Sequence, residues 1–299
     1  MRDAKEGWLL GTTTPRDRLP QPTLIVTIHK GELRETLFRS RIETEVHSQE
    51  EKLMKTINVN EIFGPTVQGE GKNAGKPCMF IRLSGCTLHC DWCDTPHTWN
   101  WIGTDFKHPE KFDPKEEVHP MTPQAIIDEL ERLQPRVGAP IKHLVVSGGE
   151  PMSQQKLLIP LYQHLKVHGW YIESETNGTV PPTDIILSLL NQVNCSPKLS
   201  HSGNSFKERI KEAALKILVA SKKANFKLVV GKEEDEKEMM EIVSLLRSFG
   251  DPEIYVMPLC RTRKELKKNL PIAEKLAKKN GLLYTSRISI ERSGDKRGI

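Results

Sequence analysis

The sequence contains no run of about 18 apolar residues, which is the length that a membrane-spanning helix needs. Its N-terminal Trp8-Leu9-Leu10 lacks the longer apolar stretch of a secretory signal. Only six of the 299 residues are cysteine, and three of these stand on one short segment. This distribution argues against a disulfide framework and favours a reducing compartment. We therefore expect a cytoplasmic protein with no membrane span.

The basic segments of the chain contain few aromatic side chains suited to stacking on bases. The formal net charge is +5, and lysines concentrate in residues 207–232 and 264–279, at helical spacing among Ile, Leu and Ala. Such runs are usually solvated helix faces, and base stacking needs interleaved aromatics. We therefore predict no direct contact with nucleic acid.

Residues 1–53 differ in composition from the rest of the chain. Residues 12–23 are rich in Thr, Pro and Arg without periodicity, and residues 32–52 offer almost no continuous apolar face. Met54 follows, a plausible start, and then the alternating strand-like stretch 57–63. We predict a poorly ordered N-terminal extension over residues 1–53 and one folded domain over residues 54–299.

Strand-like and helix-like segments alternate through the predicted domain. Strands are predicted at residues 57–63, 78–84, 141–147, 170–174, 193–195, 226–230, 254–257 and 282–284. Helices are predicted from N-cap Thr122 onwards, at 154–167, 184–190, 206–220 and 233–249, and in a stretch to residue 279 that Pro271 interrupts. This alternation predicts an α/β fold with a parallel sheet. Because a closed eight-unit barrel needs about 250 residues, we expect an incomplete parallel (βα) barrel of about six to seven strands.

Three cysteines, Cys86, Cys90 and Cys93, follow the predicted strand 78–84 with C-x3-C-x2-C spacing. Three thiolates can hold three irons of a 4Fe-4S cube and leave the fourth iron open to a small molecule that accepts an electron. With Trp92 before the last cysteine, the spacing resembles that of the radical S-adenosylmethionine (SAM) enzymes. The alternative is a structural zinc site with His89 or His97 as fourth ligand. Zinc sites usually add a second ligand pair at a distance, and no second pair exists here.

Polar and glycine-rich segments follow the other predicted strands, where the active sites of parallel βα folds form. Gly148-Gly149 lies about 55 residues beyond Cys93 and matches the GGE motif of radical SAM enzymes. Further segments are Glu61-Ile-Phe-Gly-Pro-Thr-Val-Gln-Gly-Glu-Gly71, Phe80-Ile-Arg82, Cys93-Asp-Thr95, Glu175-Thr-Asn-Gly178, Ser196-Pro-Lys198 and Gly294-Asp-Lys-Arg-Gly-Ile299. From about residue 54 to the C-terminus, the chain resembles the 7-carboxy-7-deazaguanine synthase family.

The resemblance implies a carbon–nitrogen lyase that converts 6-carboxy-5,6,7,8-tetrahydropterin into 7-carboxy-7-deazaguanine with loss of ammonia, on the route to queuosine and other deazapurines. It implies a 4Fe-4S cluster, SAM and Mg²⁺ as cofactors. Its partners would be the small-molecule pterin substrate, an external electron donor and a second copy of the chain in a homodimer. The electron would cleave SAM to a 5′-deoxyadenosyl radical, which abstracts a hydrogen from the pterin.

The resemblance also implies roles for individual residues. Cys86, Cys90 and Cys93 would bind the cluster, and Thr95 the Mg²⁺. The substrate would contact Val67, Gln68, Gly69, Arg82, Ser147 and Ile299, and the SAM pocket would comprise Gly149, Ser196, Pro197, Lys198 and Pro258. Arg82 shares a strand face with Cys78, Phe80 and Ser84, and a guanidinium there can clamp a carboxylate. Without the resemblance, an Arg82 paired with a neighbouring acid is an equal alternative, and Thr95 reads as a turn cap.

Two rival functions share parts of this pattern. Another small radical SAM enzyme, such as a glycyl-radical activase, would carry the cysteine loop and the GGE turn without a reason for Gln68-Gly-Glu-Gly71. A non-enzymatic metal-binding module with basic helices for RNA would hold zinc after aerobic purification.

Overall fold

The computed structural model describes residues 55–294 and 296–298. The predicted extension, residues 1–53, and Ile299 therefore lie outside the described residues. None of the helices in the described part combines the length and apolar composition that a membrane crossing requires.

The strands of the domain form one open sheet. They are β1 (Ile57–Val67), β2 (Pro77–Leu83), β3 (His119–Met121), β4 (His143–Gly148), β5 (Tyr171–Thr176), β6 (Gln192–Cys195), β7 (Ala224–Val230), β8 (Glu253–Pro258) and β9 (Leu283–Tyr284). Their order is β3-β1-β2-β4-β5-β6-β7-β8-β9. From β2 through β4 to β9 all neighbours are parallel, whereas β1 runs antiparallel to both β2 and β3.

This architecture confirms the predicted incomplete barrel. The parallel part has the expected number of strands, and β1 and β3 extend it at one edge. The prediction missed β3, because Pro120 reads as a loop residue. An edge strand tolerates proline, since one of its sides needs no ladder hydrogen bond.

Helices follow most strands and pack on the outer face of the sheet. They are α1 (Pro114–Glu117), α2 (Pro123–Arg132), α3 (Gln155–Val167), α4 (Asp184–Leu189), α5 (Phe206–Arg209), α6 (Glu212–Ala220), α7 (Glu236–Ser248), α8 (Arg263–Lys279) and α9 (Ile288–Ser293). The Thr122 cap is confirmed, since its Oγ1 accepts a hydrogen bond from the Ala125 N–H at 3.2 Å.

Two helix predictions were wrong in detail. The segment 206–220 is two helices, α5 and α6, because Ile210 adopts an extended conformation and is buried. The segment around Pro271 is one continuous helix, α8. Its buried side chains include Leu266, Ala273 and Leu276, and we attribute the continuity to this packing, which outweighs the backbone hydrogen bond that Pro271 removes.

The two faces of the parallel strands have opposite character. The outer face is apolar and forms the main core with the helices, with contributions such as Leu144 and Val146 of β4 and Leu228 of β7. Because successive side chains of a strand alternate between faces, the neighbouring positions point inward. Many of these inner positions are polar, among them Arg82, Ser147, Glu173, Glu175, Asn194 and Lys227.

Candidate active site

A cavity of about 420 Å³ lies at the carboxyl ends of the parallel strands. Its wall includes almost all of the predicted site residues: Val67, Gln68, Gly69, Arg82, Cys86, Cys90, Cys93, Thr95, Ser147, Gly149, Ser196, Lys198 and Pro258. Pro197 is buried between two of these residues and is not on the wall itself. The structure therefore brings together residues from six separate segments of the sequence.

The Gly148-Gly149 turn lets the end of β4 pack directly against the cysteine loop. A Cβ on Gly149 would lie 1.8 Å from the Gly85 carbonyl oxygen, and one on Gly148 2.3 Å from the Leu83 nitrogen. The Glu150 N–H donates to the Gly85 carbonyl at 2.8 Å. The two glycines are thus required for the close contact between the end of β4 and the backbone at Leu83 and Gly85, in addition to any approach to a ligand.

Glu150, the acid of the GGE turn, is fully buried and holds two loops together. Its Oε2 accepts the Asn177 N–H at 2.7 Å, and its Oε1 accepts the Met152 N–H at 2.9 Å and the Thr176 hydroxyl at 2.8 Å. Burial raises the pKa of Glu150, although these hydrogen bonds oppose the rise. Glu150 therefore stabilises the site by fixing the loops after β4 and β5.

The three clustered thiols each accept a hydrogen bond from a neutral side-chain N–H. Trp99 Nε1 donates to Cys93 Sγ at 3.3 Å, Asn204 Nδ2 to Cys90 Sγ at 3.4 Å and Asn177 Nδ2 to Cys86 Sγ at 3.7 Å. All six cysteines of the chain are free thiols. Burial raises the pKa of the Cys90 thiol to about 11, so ionising it requires a compensating positive charge such as iron. Donors aimed at sulfur are what a bound iron–sulfur cluster uses.

The zinc alternative finds no support in this geometry. Among residues 55–294, no three His, Cys, Asp or Glu side chains converge on the position of a single metal ion. His89 instead stacks on Phe106 with ring centroids 3.6 Å apart, and His97 meets Phe112 edge-on at 5.8 Å. Three separate thiols around a cavity suit a cluster, which is larger than one ion.

A chain of alternating charges, buried for the most part but not at Asp94, runs from the cysteine loop into the strands. Arg287 Nη2 contacts Asp94 Oδ2 at 2.5 Å and its Nε contacts Glu70 Oε1 at 2.9 Å. Lys227 Nζ donates to the other oxygen of Glu70 at 2.6 Å. Burial opposes ionisation of Glu70, but Lys227 and Arg287 outweigh it and lower the pKa of Glu70 to about 2. These residues are therefore ionised at neutral pH.

A second set of polar side chains joins Gln68 to Glu173 and Glu175 of β5. Ser147 Oγ donates to Glu175 Oε2 at 2.7 Å, and Lys227 Nζ lies 3.6 Å from Glu175 Oε1. Gln68 Nε2 donates to Glu173 Oε1 at 2.5 Å and to Glu175 Oε1 at 3.3 Å. The Gln68 amide is thus already hydrogen-bonded to two carboxylates, and it positions them.

Arg82 has an acidic neighbour and also lines the cavity. Its Nε donates to Glu61 Oε1 at 2.7 Å, so the pairing considered as an alternative is present. The hydrogen bond uses Nε, and no protein partner of the two Nη groups is seen within the described residues. Glu61 also accepts from Arg297 Nε at 3.2 Å, so one acid links Arg82 to the C-terminal segment.

Thr95 precedes the short 3-10 turn Pro96–Thr98, but its side chain makes no capping hydrogen bond. Its Oγ1 lies 3.7 Å from Cys93 Sγ. The neighbouring carboxylate of Asp94 is occupied by Arg287. Thr95 therefore occupies the cap position of the turn without a capping hydrogen bond, and its hydroxyl lies on the cavity wall.

Comparisons with known proteins agree with this geometry. Residues 80–258 match the radical SAM superfamily. A 7-carboxy-7-deazaguanine synthase from Pyrobaculum aerophilum is 31% identical over 81% of this chain and 97% of its own length. A protein of the same name from Rhodopirellula baltica is 30% identical over 77% of this chain and 84% of its own. The chain belongs to the 7-carboxy-7-deazaguanine synthase family.

The fold agrees with a solved structure as well. The crystal structure of QueE from Escherichia coli aligns with a TM-score of 0.56 at 24% identity, covering 77% of this chain and 93% of that one. Because the chain belongs to the radical SAM superfamily, its cofactors are a 4Fe-4S cluster and SAM. Its partners are a small-molecule substrate and an electron donor.

Several polar residues of this family member were not singled out by the sequence patterns. Glu70 and Glu175 stand inside recognised segments, but no role was inferred for them. Lys227 and Arg287 were missed entirely. Lys227 had a readable signal, since it stands between Phe226 and Leu228 of an apolar strand and so had to face inward. Arg287 had none.

Proposed function

We propose that this enzyme converts 6-carboxy-5,6,7,8-tetrahydropterin into 7-carboxy-7-deazaguanine with loss of ammonia, on the route to queuosine and related deazapurines. The observation that carries the proposal is the meeting of three hydrogen-bonded thiols and a charged polar wall at one cavity. The thiols fit a radical-generating cofactor, and the charged wall fits a polar, anionic heterocycle.

Cys86, Cys90 and Cys93 would hold the cluster, which supplies the electron that cleaves bound SAM. Gly149, Ser196, Pro197, Lys198 and Pro258 would form the SAM pocket. Lys198 supports this assignment, because its Nζ donates to Ser196 Oγ at 3.0 Å and lies 5.7 Å from the Trp92 ring centroid, beside the cysteine loop. A cation there suits the carboxylate of SAM.

The substrate would lie against Val67, Gln68, Gly69, Arg82 and Ser147. The Nη groups of Arg82 would bind the pterin carboxylate, while Glu61 holds the guanidinium in place through Nε. Ser147 and Gln68 orient Glu175, whose carboxylate can accept hydrogen bonds from the amino and ring N–H groups of a pterin. These contacts position the substrate for hydrogen abstraction.

Thr95 would contribute one oxygen to Mg²⁺. A single hydroxyl is a weak site, but Mg²⁺ commonly completes its shell with substrate oxygens and water. The position of Thr95 on the cavity wall, which Arg82 also lines, supports this role.

The decisive experiment is anaerobic incubation of the protein with SAM, dithionite and carboxytetrahydropterin, followed by mass spectrometry. We expect a brown, oxygen-sensitive protein that forms 7-carboxy-7-deazaguanine. Cleavage of SAM without this product would instead favour another radical SAM reaction. A colourless protein containing zinc would contradict the proposal altogether.

We also propose that residues 54–299 are the catalytic domain, that Ile299 reaches the substrate, and that the enzyme is a homodimer. Leu283 and Tyr284 support the last point, because they are about half exposed on the edge strand β9. A chain beginning at Met54 should load its cluster and turn over like the full chain. Sedimentation analysis tests the dimer.

A further inference from the structure

Three tryptophans stand in or just after the cysteine loop, and their indole N–H groups have different acceptors. Trp92 Nε1 donates to the His201 carbonyl at 3.0 Å, and Trp101 Nε1 donates to the His97 carbonyl at 3.3 Å. Trp99 Nε1 donates to Cys93 Sγ at 3.3 Å. Of these three indoles, Trp99 alone meets a thiol of the cluster motif.

The surroundings of Trp99 hold this contact in place. The side chain is buried, with 3% of its surface exposed. Its ring meets His89, Phe106 and His108 with centroids 5.0, 5.6 and 6.0 Å away, each at a steep angle. A ring enclosed on several sides cannot turn its N–H away without repacking its neighbours.

The other two donors to the thiols divide their N–H groups between acceptors. Asn204 Nδ2 also lies 3.3 Å from the Ser202 carbonyl, and Asn177 Nδ2 lies 3.0 Å from Thr87 Oγ1, closer than its sulfur. An indole has one N–H and no acceptor. Of the three donors, Trp99 is therefore the one whose N–H bonds to sulfur alone.

A hydrogen bond to a cluster ligand acts on the reduction potential. One-electron reduction places more negative charge on the cluster and its thiolates, so an N–H donor stabilises the reduced form more than the oxidised form. The burial of Trp99 strengthens the effect, because water does not compete for the indole N–H.

We propose that Trp99, acting through Cys93, raises the reduction potential of the cluster and so makes it easier for the electron donor to charge. The inference rests on the proposed function in one respect, the assignment of the cluster to the three cysteines. Trp99 is a positioning residue, since it contacts neither substrate nor SAM in this assignment.

The test is a redox titration of the SAM-free holoenzyme, with the reduced cluster followed by electron paramagnetic resonance. Trp99→Phe removes the N–H and keeps an aromatic ring, while β-(3-benzothienyl)alanine at position 99 keeps the ring size and replaces the N–H with sulfur. Trp101→Phe is the matched control, because it removes an indole N–H of the same region that is bonded to a carbonyl. Iron and sulfide content is measured for every protein.

We expect both changes at position 99 to lower the ratio of reduced to oxidised cluster at a fixed potential by about threefold to tenfold, where tenfold is about 59 mV for one electron. Trp101→Phe should leave the ratio unchanged. The inference is overturned if neither change at position 99 alters the ratio, or if only Trp99→Phe does, since ring size would then be the cause. An equal shift in Trp101→Phe would also overturn it. A wild-type protein without a 4Fe-4S signal would refute the proposed cluster site itself, which is a distinguishable result.

Discussion

The cavity has two sides that are built from different interactions. The cysteine side comprises Cys86, Cys90 and Cys93 with their donors Asn177, Asn204 and Trp99. The charged side comprises Glu61, Glu70, Arg82, Glu175, Lys227 and Arg287. The three side-chain N–H donors to these thiols are neutral, whereas the charged side is held by ion pairs.

This difference matches what each side would bind in the proposed function. A cluster brings its own charge and needs donors that adjust it without a fixed opposing ion. A pterin with one carboxylate needs fixed charges that are already compensated within the protein, since an uncompensated buried charge is costly. The two sides should therefore respond to substitution in different ways.

The largest loss of function is expected from a substitution on the cysteine side. Cys90→Ala should abolish iron loading and SAM cleavage, because it removes one of the three proposed cluster ligands. Cys260→Ala is the matched control, since Cys260 lines the same cavity but stands outside the cysteine loop, and it should retain both. Iron analysis and methionine release measure the outcome. Full iron content in the Cys90 variant would rule out the ligand assignment.

On the charged side, a substitution should first lower the free energy of unfolding. Lys227 is 4% exposed and pairs with Glu70, whereas Lys72 is 51% exposed and pairs with Glu253 at 2.9 Å. Lys227→Met leaves Glu175 without its cation and Glu70 with Arg287 as its remaining one, and it should lower the free energy of unfolding by about 3–5 kcal/mol. Lys72→Met should change it by at most about 1 kcal/mol. Anaerobic urea unfolding measures both, and equal losses would mean that the charged side contributes no buried pairing.

The two sides were not equally predictable from the sequence. The three cysteines are local in sequence, and their spacing alone indicated a cluster. Trp99 is six positions from Cys93, but the spacing could not show which of three tryptophans meets the sulfur. Asn204 is 114 positions from Cys90, and Arg287 is 217 positions from Glu70. Such pairs arise only when the sheet brings distant loops together.

The fold itself was more predictable, because strand alternation and helix caps are encoded locally. The period of two along β2 correctly placed Arg82 on the inner face. The errors fell at the edge strand with Pro120, in the helix with Pro271 and at the buried Ile210 that separates α5 from α6. The same period applied to β5 and β7 would have added Glu175 and Lys227 to the predicted site.

Arg82→Lys tests whether the charged side recognises substrate. A lysine keeps the charge near Glu61 but loses the fork that binds a carboxylate with two hydrogen bonds. Product formation should fall about tenfold or more, in line with about 1.5–3 kcal/mol for a charged hydrogen bond. SAM cleavage without product should persist, because the cysteine side is unchanged. Arg132→Lys, an exposed arginine paired with Glu129, is the control. Normal turnover of Arg82→Lys would make Arg82 a structural residue.

The smallest effect concerns His97, which lies on the cavity wall where the two sides meet. Its Nε2 is buried, has no hydrogen-bond partner among the described residues and lies 3.9 Å from Glu61 Oε1. Burial, aided by the positive charges of Arg297 and Arg82, lowers the pKa of His97 to about 4. An unfolded chain has a histidine pKa of about 6.5 and therefore binds this proton first as the pH falls.

The stability that a neutral His97 contributes is fully present above about pH 6.5 and is lost as the pH falls toward 4. Between pH 7.5 and 5 the loss of unfolding free energy from this group should be about 1–2 kcal/mol.

His97→Asn cannot titrate, so its unfolding free energy should fall less over that interval than that of the wild type. The exposed His119→Asn should follow the wild type. The measurements stay above pH 5 because of Glu70. Its pKa is lowered in the folded protein, so the stability that its ionised form contributes is lost only below about pH 4.5. If the His97 variant and the wild type lose stability in parallel, the imidazole is not held neutral at the junction, and the charged side extends further toward the cysteines than these contacts indicate.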